Sequence, residues 1–412
     1  MKKLKILMLT RLFPSNTHPT MGTFCLDRAR ALAEHADVRV MVPVPFFPKW
    51  LPSTPEWKLW SEVESEGDLQ CGIRVTYPRY ALIPKVATFL QGYSVAHSAY
   101  RAFKARYADW QPDIIDGHFA FPDGYAAVSL GRRIGVPAVV TCHGSDLRLY
   151  PDLFCVKGMI KDTLSGAGRV IAVSKFLQRR CLELECPEDK AVFLTNGVDP
   201  DKFVLRAKTD CRETLGLPFD RKIGVYVGYL IDRKNQSVVI QALAEMRRQG
   251  SVLPLLVLVG DGPNRRTLQR EVDKLGLADH VMFTGQRPHE EVALWMGAAD
   301  WLLLSSSYEG WATVYFEAMA CGRPVLTSNV SSATDAICRP EYGTVVDPCT
   351  PQAFASAMIN AASRNYDPVA LRAYAEDHSW TRWAEQAMAL FEQVIADHHS
   401  VAGCGVRRSL LS

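Results

Sequence analysis

Short runs of apolar and β-branched residues alternate with longer helical patterns along nearly the whole chain. This alternation is typical of β-α-β units, in which helices connect parallel strands. In residues 1–200 it predicts strands at Leu4–Leu9, Val38–Val42, Ile73–Tyr77, Ile114–Asp116, Ala138–Thr141, Val170–Val173 and Ala191–Leu194. In the remainder it predicts strands at Lys222–Val227, Leu255–Val259, Val281–Thr284, Trp301–Leu304, Pro324–Thr327 and Gly343–Val346. Each set is sufficient for one doubly wound α/β sheet, so the sequence predicts two Rossmann-like domains.

The break between the two sets falls near residues 200–220, where a charged stretch without strand pattern follows Val198-Asp-Pro-Asp-Lys-Phe203. A chain of 412 residues also favours two domains over one core. We expect an N-terminal domain over 1–205 and a C-terminal domain over 206–375. Residues 376–412 are expected to form a helix that packs back on the N-terminal domain, followed by a loose tail. Two such domains commonly bind a ligand in a central cleft that faces the carboxyl ends of the strands.

The composition is that of an ordinary globular protein, with 48% hydrophobic and 22% charged residues. The net charge of +3 is too small to indicate a nucleic-acid partner. Residues 1–200 contain 25 Lys and Arg against 20 Asp and Glu, which suits an anionic partner or membrane surface about as well as ordinary solvated charge.

The 11 cysteines are irregularly spaced without a Cys-x-x-Cys pair, so we expect neither disulfides nor zinc, and a reducing cytoplasm is the simplest setting. The N-terminal run that ends at Thr10 predicts a first strand rather than a secretory signal. No apolar run approaches the length of a membrane-spanning helix.

A dinucleotide cofactor is not expected, because the loop after the first predicted strand lacks the Gly-x-Gly-x-x-Gly pattern. The loop runs Thr10-Arg-Leu-Phe-Pro-Ser-Asn-Thr-His-Pro-Thr-Met-Gly-Thr23 and has a single glycine, Gly22, where the next helix begins. Gly22 is either a turn glycine or a point where the backbone approaches a phosphate or sugar at a helix N-terminus.

Two adjacent cations, Arg233 and Lys234, follow the predicted strand that leads to Gly228 and precede the next helix. At the carboxyl end of a parallel strand they can neutralise a diphosphate. The alternative is a solvated Arg-Lys pair on a surface loop. The position at a strand end favours the functional interpretation.

Two further turns carry weaker signals. Gly260 and Gly262 follow the next strand, and they either let backbone N–H groups approach a ligand or only make a tight turn. Asp199 and Asp201 resemble a pair that holds a divalent cation, but they lie among turn residues. We interpret this pair as turn chemistry and expect no metal site.

Polar side chains also follow two neighbouring strands of the N-terminal half. His118 ends the run that begins at Asp113, and His143 and Asp146 follow the next strand. A lone histidine is more often a packed structural residue, but two at adjacent strand ends favour a functional role.

Glu309 and Glu317 lie eight residues apart, on either side of an almost wholly apolar block. A charge inside such a block is costly unless it is paired. Glu309 is expected in a loop, whereas Glu317 lies inside the helix that begins near Thr313. The N–H groups of Thr313 and Val314 would favour an anion, and both carboxylates can accept hydrogen bonds from ligand hydroxyls. The alternative is a capping Glu309 and an internal ion pair for Glu317.

These motifs resemble those of the family 4 glycosyltransferases, which are retaining enzymes of the GT-B architecture, and the resemblance covers most of the chain. Glu309-x7-Glu317, continued by Ala318-Met-Ala-Cys-Gly-Arg-Pro-Val325, is its most specific part. The Glu-Gly-Trp opening is closest to polysaccharide enzymes, including teichuronic-acid-type transferases. Further matches are Arg233-Lys234, Val259-Gly-Asp-Gly-Pro263, Phe283-Thr-Gly285, Asn196-Gly-Val-Asp199, Val173-Ser174, His118-x4-Asp123-Gly124 and His143-Gly-x-Asp146.

The resemblance implies roles for the matching residues. Glu317 would bind the ribose hydroxyls of a nucleoside diphosphate sugar, and Glu309 would hold hydroxyls of the transferred sugar. Arg233 and Lys234 would bind the diphosphate and stabilise it as it leaves, so that these two and Glu309 form the catalytic set with His118. The implied donor site also contains Gly22, Gly228, Gly260 and the backbone donors of Thr313 and Val314. Arg287 is part of the same site and would line the base pocket. His143 and Asp146 would lie on the acceptor side.

The chain departs from the family pattern at two places. Gly228-Tyr229 stands where the family often has Gly-Arg, which leaves Arg233 and Lys234 more of the diphosphate binding. The loop before Gly22 has one glycine where relatives often have two. No carboxylate is an obvious nucleophile, so we expect metal-independent, cation-assisted departure of the nucleoside diphosphate, with the acceptor hydroxyl arriving on the same face.

The expected substrates are a nucleoside diphosphate sugar and a glycan or lipid-linked acceptor in cell-surface polysaccharide synthesis, without a cofactor. Pro45–Trp60 and a predicted helix over Lys85–Arg106 mix aromatic and basic residues, which suits peripheral contact with an anionic membrane as well as ordinary packing. The predicted location is the cytoplasm, at or near the inner face of the membrane. The alternatives are a nucleotide-sugar epimerase of the same double-Rossmann plan and a non-catalytic, two-lobed sugar-binding protein.

Overall fold

The computed structural model describes residues 3–46, 54–68, 72–82 and 88–409, and the chain divides into two compact units. Unit 1 consists of Met1–Asn196 together with Trp380–Ser412, and unit 2 consists of Gly197–Ser379. The end of the chain therefore returns to the first unit after the second is complete.

The strands of unit 1 are β1 (Lys5–Leu9), β2 (Asp37–Met41), β3 (Val44–Phe46), β4 (Glu66–Asp68), β5 (Arg74–Thr76), β6 (Arg79–Ala81), β7 (Ile114–His118), β8 (Ala138–Cys142), β9 (Arg169–Ala172) and β10 (Ala191–Phe193). Eight of them form one sheet in the order β10-β9-β8-β7-β1-β2-β5-β4, while β3 and β6 form a separate parallel pair. Only the β4–β5 pairing in the large sheet is antiparallel. Its central strands are buried along their length, as expected for a sheet covered on both faces.

The helices of unit 1 cross over between these strands. They are α1 (Thr23–His35), α2 (Pro55–Ser61), α3 (Thr88–Arg106), α4 (Tyr125–Ile134), α5 (Ser145–Arg148), α6 (Val156–Gly166) and α7 (Lys175–Glu183). None of the helices in the described part of the chain is long and apolar enough to cross a membrane.

Unit 2 repeats the plan with six parallel strands, β11 (Ile223–Val227), β12 (Leu255–Val259), β13 (Val281–Gly285), β14 (Trp301–Leu304), β15 (Val325–Ser328) and β16 (Gly343–Val346). Their order is β13-β12-β11-β14-β15-β16. The helices are α8 (Lys208–Leu215), α9 (Gln236–Arg248), α10 (Arg265–Lys274), α11 (His289–Ala298), α12 (Val314–Ala320), α13 (Ala333–Ala336), α14 (Pro351–Ser363) and α15 (Pro368–Glu376). The last helix of the chain, α16 (Trp380–Ser409), belongs to unit 1.

Strand order reverses once in each large sheet, and this position determines where ligands can approach. In unit 1 the chain moves outward from β1 to β2 and later returns to the other side of β1 as β7. In unit 2 the same reversal lies between the neighbouring strands β11 and β14. Doubly wound sheets bind ligands outside the carboxyl ends of the strands at such a reversal. A ligand site is therefore expected at the loops after β1, β7, β11 and β14.

The doubly wound α/β prediction is confirmed. Every strand predicted from the sequence is present, with bounds that differ by two residues at most. The sequence did not indicate β3, β4 or β6. Helix α16 extends to Ser409, beyond the point where a loose tail was expected, and its Trp383 and Phe391 join the core formed by α1 and the central strands of unit 1.

Candidate functional site

The loop after β11 carries Arg233 and Lys234, and its backbone conformation fixes the position of both. A single 3-10 turn, Asp232–Lys234, leads into α9 through Asn235, which has a φ of 52°. Asparagine is one of the few residues that adopts this left-handed conformation readily. The hydroxyl of Tyr226 on β11 donates to the carbonyl oxygen of Lys234 and fixes the end of the turn.

Glu309, in the loop between β14 and α12, binds both of these cations. Its Oε1 lies 2.7 Å from Lys234 Nζ, and its Oε2 lies 3.2 Å from Arg233 Nη1. Arg233 also donates to the carbonyl oxygen of Tyr308 at 2.9 Å. Burial acts to raise the pKa of Glu309, but Lys234 and Arg233 outweigh it and hold the pKa below its usual value. The carboxylate is 6% exposed and ionised at neutral pH.

Hydrogen bonds to the backbone connect the two loops that carry this ion-pair cluster with each other and with the loop after β15. The N–H of Ser307 donates to the carbonyl oxygen of Arg233 at 2.9 Å. The hydroxyl of Ser331 donates to the carbonyl oxygen of Glu309. The sequence did not single out these serines, because neither belongs to a charged or glycine-rich pattern.

Glu317 lies inside α12, on a helix whose residues are all buried. Its Oε1 is 3.9 Å from Nε2 of His289, the first residue of α11. Burial lowers the pKa of His289 below its usual value, so the imidazole faces Glu317 mainly in its neutral form. His289 was not predicted from the sequence, although its place directly after Pro288 marks a helix start. Thr313 and Val314, predicted as backbone donors, are the residue before α12 and its first residue.

Gly228 and Gly260 lie at the ends of two neighbouring strands and pack against each other. A methyl group on Gly260 would lie 2.1 Å from the carbonyl oxygen of Gly228, and one on Gly262 would lie 2.5 Å from that of Leu230. Side chains at these positions would therefore separate the two loops. This close backbone approach is a structural reason for glycine at 260 and 262, whether or not a ligand binds there.

Two other predicted positions in unit 2 have local partners. Arg287, in the loop between β13 and α11, is partly exposed and lies 3.6 Å from Glu291. Asp199 Oδ1 accepts hydrogen bonds from the N–H groups of Asp201 and Lys202 at 3.0 and 3.1 Å. The interpretation of Asp199 as turn chemistry is therefore confirmed.

In unit 1 the structure brings His118 and His143 into contact. His118 is the last residue of β7 and is fully buried, while His143 follows β8 and is partly exposed. His118 Nδ1 lies 3.0 Å from His143 Nε2, and the two rings are nearly parallel, with an interplanar angle of 10° and centroids 5.2 Å apart. The prediction that His118 and His143 follow neighbouring strands is therefore confirmed, while their functional role stays a prediction.

The Asp146 carboxylate is bound by backbone N–H groups and does not face solvent. Its carboxylate accepts hydrogen bonds from the N–H groups of Ala120 at 2.8 Å, His143 at 3.2 Å and Gly144 at 2.7 Å, and the side chain is fully buried. Burial raises the pKa of Asp146 despite these donors. In this structure, Asp146 holds the loop that carries His143.

The remaining predictions concern surfaces and metals. Of the stretches Pro45–Trp60 and Lys85–Arg106, residues 47–53 and 85–87 lie outside the described residues. Tyr93 on α3 is more than half exposed, whereas Tyr100 lies beneath Arg133 with 5.0 Å between the ring centroid and the guanidinium carbon. Within the described parts of the chain, no group of three or more His, Cys, Asp or Glu side chains could hold a metal ion.

Two protein-family models match the chain, one over each unit. The model described as glycosyl transferases group 1 matches residues 207–378. The model described as Glycosyltransferase Family 4 matches residues 21–202.

Similar curated proteins include TuaC of Bacillus subtilis, whose name assigns it as a glycosyltransferase of teichuronic acid biosynthesis. It is 31% identical over 362 residues, which cover 86% of this chain and 88% of TuaC. The GDP-mannose-dependent alpha-(1-6)-phosphatidylinositol monomannoside mannosyltransferase of Mycolicibacterium smegmatis is 34% identical over 230 residues, covering 53% of this chain and 59% of that protein.

Solved structures share the fold over nearly the full length. Sucrose-phosphate synthase from Thermosynechococcus elongatus matches with a TM-score of 0.74 and 21% identity, covering 96% of this chain and 100% of that chain. Anabaena HepE in complex with UDP-glucose matches with a TM-score of 0.64 and 19% identity, covering 97% and 100%.

Replacing Gly22 with alanine is expected to destabilise unit 1 more than replacing Gly135. Both have left-handed φ values, 64° and 71°, so alanine costs each of them about 1–2 kcal/mol. At Gly22 the methyl group would meet backbone, the Leu12 carbonyl oxygen at 2.2 Å, whereas at Gly135 no atom of the described residues lies within 4 Å. Thermal unfolding should show a Tm for Gly22→Ala at least about 3 °C below that of Gly135→Ala. Equal Tm values would contradict the contact.

Proposed function

Because the chain belongs to the family 4 glycosyltransferases of group 1 and has their GT-B fold of two Rossmann-like domains, we propose that it transfers a sugar from a nucleoside diphosphate sugar with retention of anomeric configuration. Membership of the family makes the chain an enzyme of the hexosyltransferase type. The proposed acceptor is a glycan or a lipid-linked glycan in cell-surface polysaccharide synthesis, and the proposed reaction requires no metal.

The ion-pair cluster of Glu309, Lys234 and Arg233 is the observation that carries the proposal. It lies after β11 and β14, at the strand reversal of unit 2, where this class of sheet binds its ligand. Both cations already face a carboxylate, and a diphosphate offers them a second anionic partner of higher charge. A Lys and an Arg so placed can neutralise the charge that develops as a nucleoside diphosphate leaves.

Two carboxylates have different proposed partners. Glu317, buried within α12, would accept hydrogen bonds from the ribose hydroxyls, and Glu309 would accept them from hydroxyls of the transferred sugar. Binding of the donor would then replace Lys234 and Arg233, the partners of Glu309 in this structure, with hydroxyls of the transferred sugar. The remaining proposed donor contacts in unit 2 are Gly228, Gly260, Arg287 and the N–H groups of Thr313 and Val314.

Catalysis in this proposal is mainly electrostatic. Lys234 and Arg233 stabilise the leaving diphosphate, the acceptor hydroxyl attacks from the same face, and the leaving phosphate takes the hydroxyl proton. In unit 1, Gly22 and His118 are proposed to approach the donor, while His143, held by Asp146, is proposed to serve the acceptor.

The names of two relatives support the proposed acceptor class. TuaC is named for teichuronic acid biosynthesis, and the M. smegmatis relative is named for transfer to a phosphatidylinositol monomannoside. HepE, with the same fold, has been solved with UDP-glucose, which supports a nucleotide-sugar donor. Peripheral contact with a membrane at the cytoplasmic face is part of the proposal, because lipid-linked acceptors lie there.

A screen of nucleotide sugars tests the proposal, with the purified protein in buffer that contains EDTA. We expect at least one nucleoside diphosphate sugar to raise the Tm and to be slowly hydrolysed, giving first the anomer that the donor carried. Binding without turnover of any nucleotide sugar would instead support a sugar-binding protein, and release of an isomeric nucleotide sugar would support an epimerase. If neither nucleotide sugars nor nucleoside diphosphates bind, the proposal fails.

Glu317→Gln should weaken binding of the nucleoside diphosphate itself. A hydrogen bond to a charged group contributes about 1.5–3 kcal/mol, so the Kd should rise roughly 10-fold or more. Titration calorimetry with UDP and with GDP measures this change, and Glu213→Gln on the exposed face of α8 is the control, for which no change is expected. A lower Tm with an unchanged Kd would show that Glu317 has only a structural role.

A further inference from the structure

A row of buried polar side chains in unit 1 extends from the core to His143. Arg28 on α1 and Asp116 and His118 on β7 are fully buried. His143 is the partly exposed member at the end of the row. Neither Arg28 nor Asp116 was singled out from the sequence, and the roles proposed above do not use them.

Asp116 is held in its ionised form by Arg28. The guanidinium Nε lies 3.3 Å from Asp116 Oδ2, and Nη2 lies 3.3 Å from Oδ1 and 2.8 Å from Thr141 Oγ1. The ring of Trp383, from α16, packs against the guanidinium with 4.1 Å from its carbon to the ring centroid. Burial acts to raise the pKa of Asp116, but Arg28 and His118 lower it below its usual value.

An ionised carboxylate can only accept hydrogen bonds, and this determines where His118 carries its proton. His118 Nε2 lies 3.4 Å from Asp116 Oδ2, the oxygen that Arg28 Nε also faces at 3.3 Å, and among the described residues neither Nε2 nor Oδ2 makes a hydrogen bond of regular geometry. If Nε2 carried a lone pair, two buried acceptors would face each other, at a cost in a low-dielectric interior. The contact with the ionised carboxylate therefore favours the tautomer of His118 that carries its proton on Nε2.

The proton on Nε2 determines the state of the next ring. Burial lowers the pKa of His118, and burial together with His118 and Arg28 lowers that of His143, so both rings are neutral at neutral pH. Nδ1 of His118 then carries a lone pair, and at 3.0 Å it must accept from Nε2–H of His143. His143 keeps its lone pair on Nδ1. The Cys25 thiol lies 3.7 Å from His118 Nδ1, and burial raises its pKa, so it adds no charge.

We propose that Asp116 is a positioning residue that sets, through His118, the tautomer of His143, so that His143 Nδ1 accepts a hydrogen bond from the attacking hydroxyl of the sugar acceptor. The inference rests on the proposed function. The rings of Phe24 and Phe119, with centroids 5.0 and 4.6 Å from that of His143, hold the imidazole in orientation. The hydroxyl is thereby oriented, and its proton still leaves with the diphosphate.

The tautomers can be measured in the wild-type protein without any substrate. In long-range 15N–1H NMR spectra of histidine-labelled protein near pH 7.5, we expect His118 and His143 both to carry the proton on Nε2. A proton on Nδ1 of either ring would overturn the inference. This measurement does not depend on the stability of any variant.

Asp116→Asn tests whether the carboxylate is the cause. An amide can also donate, so it no longer requires a proton on Nε2 of His118, and a population protonated on Nδ1 should appear in both rings. We expect kcat to fall on the order of tenfold, because the acceptor hydroxyl loses its hydrogen bond to His143 Nδ1. KM for the donor should be unchanged. Unchanged tautomers, or changed tautomers with unchanged kcat, would overturn the proposal.

Asp300→Asn is the matched control, because Asp300 in unit 2 is also a buried carboxylate with cationic partners, Lys208 at 2.6 Å and Arg212 at 2.8 Å. It should lower the Tm and leave both tautomers and kcat unchanged. If the wild-type protein transfers no sugar, the proposed function fails, while the spectra still decide whether Asp116 sets the tautomers.

Discussion

The ion pairs of Glu309 with Lys234 and Arg233 connect the two loops on which the candidate donor site of unit 2 depends. The loops follow β11 and β14, which are neighbours at the strand reversal. Removing one partner of a fully buried pair typically costs about 3–5 kcal/mol. The cost is smaller for Arg233, whose side chain is 43% exposed, than for Lys234, whose side chain is 14% exposed. The hydrogen bonds of Ser307 and Ser331 keep the backbones in place, so a diphosphate can exchange partners with Glu309 without rebuilding the loops.

Unit 1 has a buried charge cluster at its own strand reversal. Asp116 lies on β7 and Arg28 on α1, the helix that follows β1, and Trp383 of α16 covers the guanidinium. The two clusters differ in exposure. Arg233 is partly exposed and accessible to a ligand, whereas Arg28 is fully buried and can act only through its neighbours. We infer from this contrast that the cluster of unit 2 binds ligand and that of unit 1 orients a histidine.

The sequence predicted the fold well because most of its strands are short, mainly apolar runs that alternate with longer helical patterns. It missed β3, β4 and β6, which have three residues each and give no recognisable period. Charged motifs identified Arg233, Lys234 and Glu309 in loops that follow strands, and Glu317 within α12. The roles of all four residues stay predictions. His289, Arg28 and Asp116 lie in helix and strand patterns that indicate packing, and partners such as Arg28 and Asp116 are 88 residues apart. Only the folded chain brings them together.

The most direct test of the account is the affinity of Glu309→Gln for the nucleoside diphosphate of the donor identified in the screen, measured by titration calorimetry beside Lys234→Met. If Glu309 competes with the diphosphate for Lys234, its neutralisation should leave the Kd unchanged or lower it several-fold, whereas Lys234→Met should raise the Kd roughly 10-fold or more. Binding that is weakened as much by Glu309→Gln as by Lys234→Met would contradict the exchange of partners.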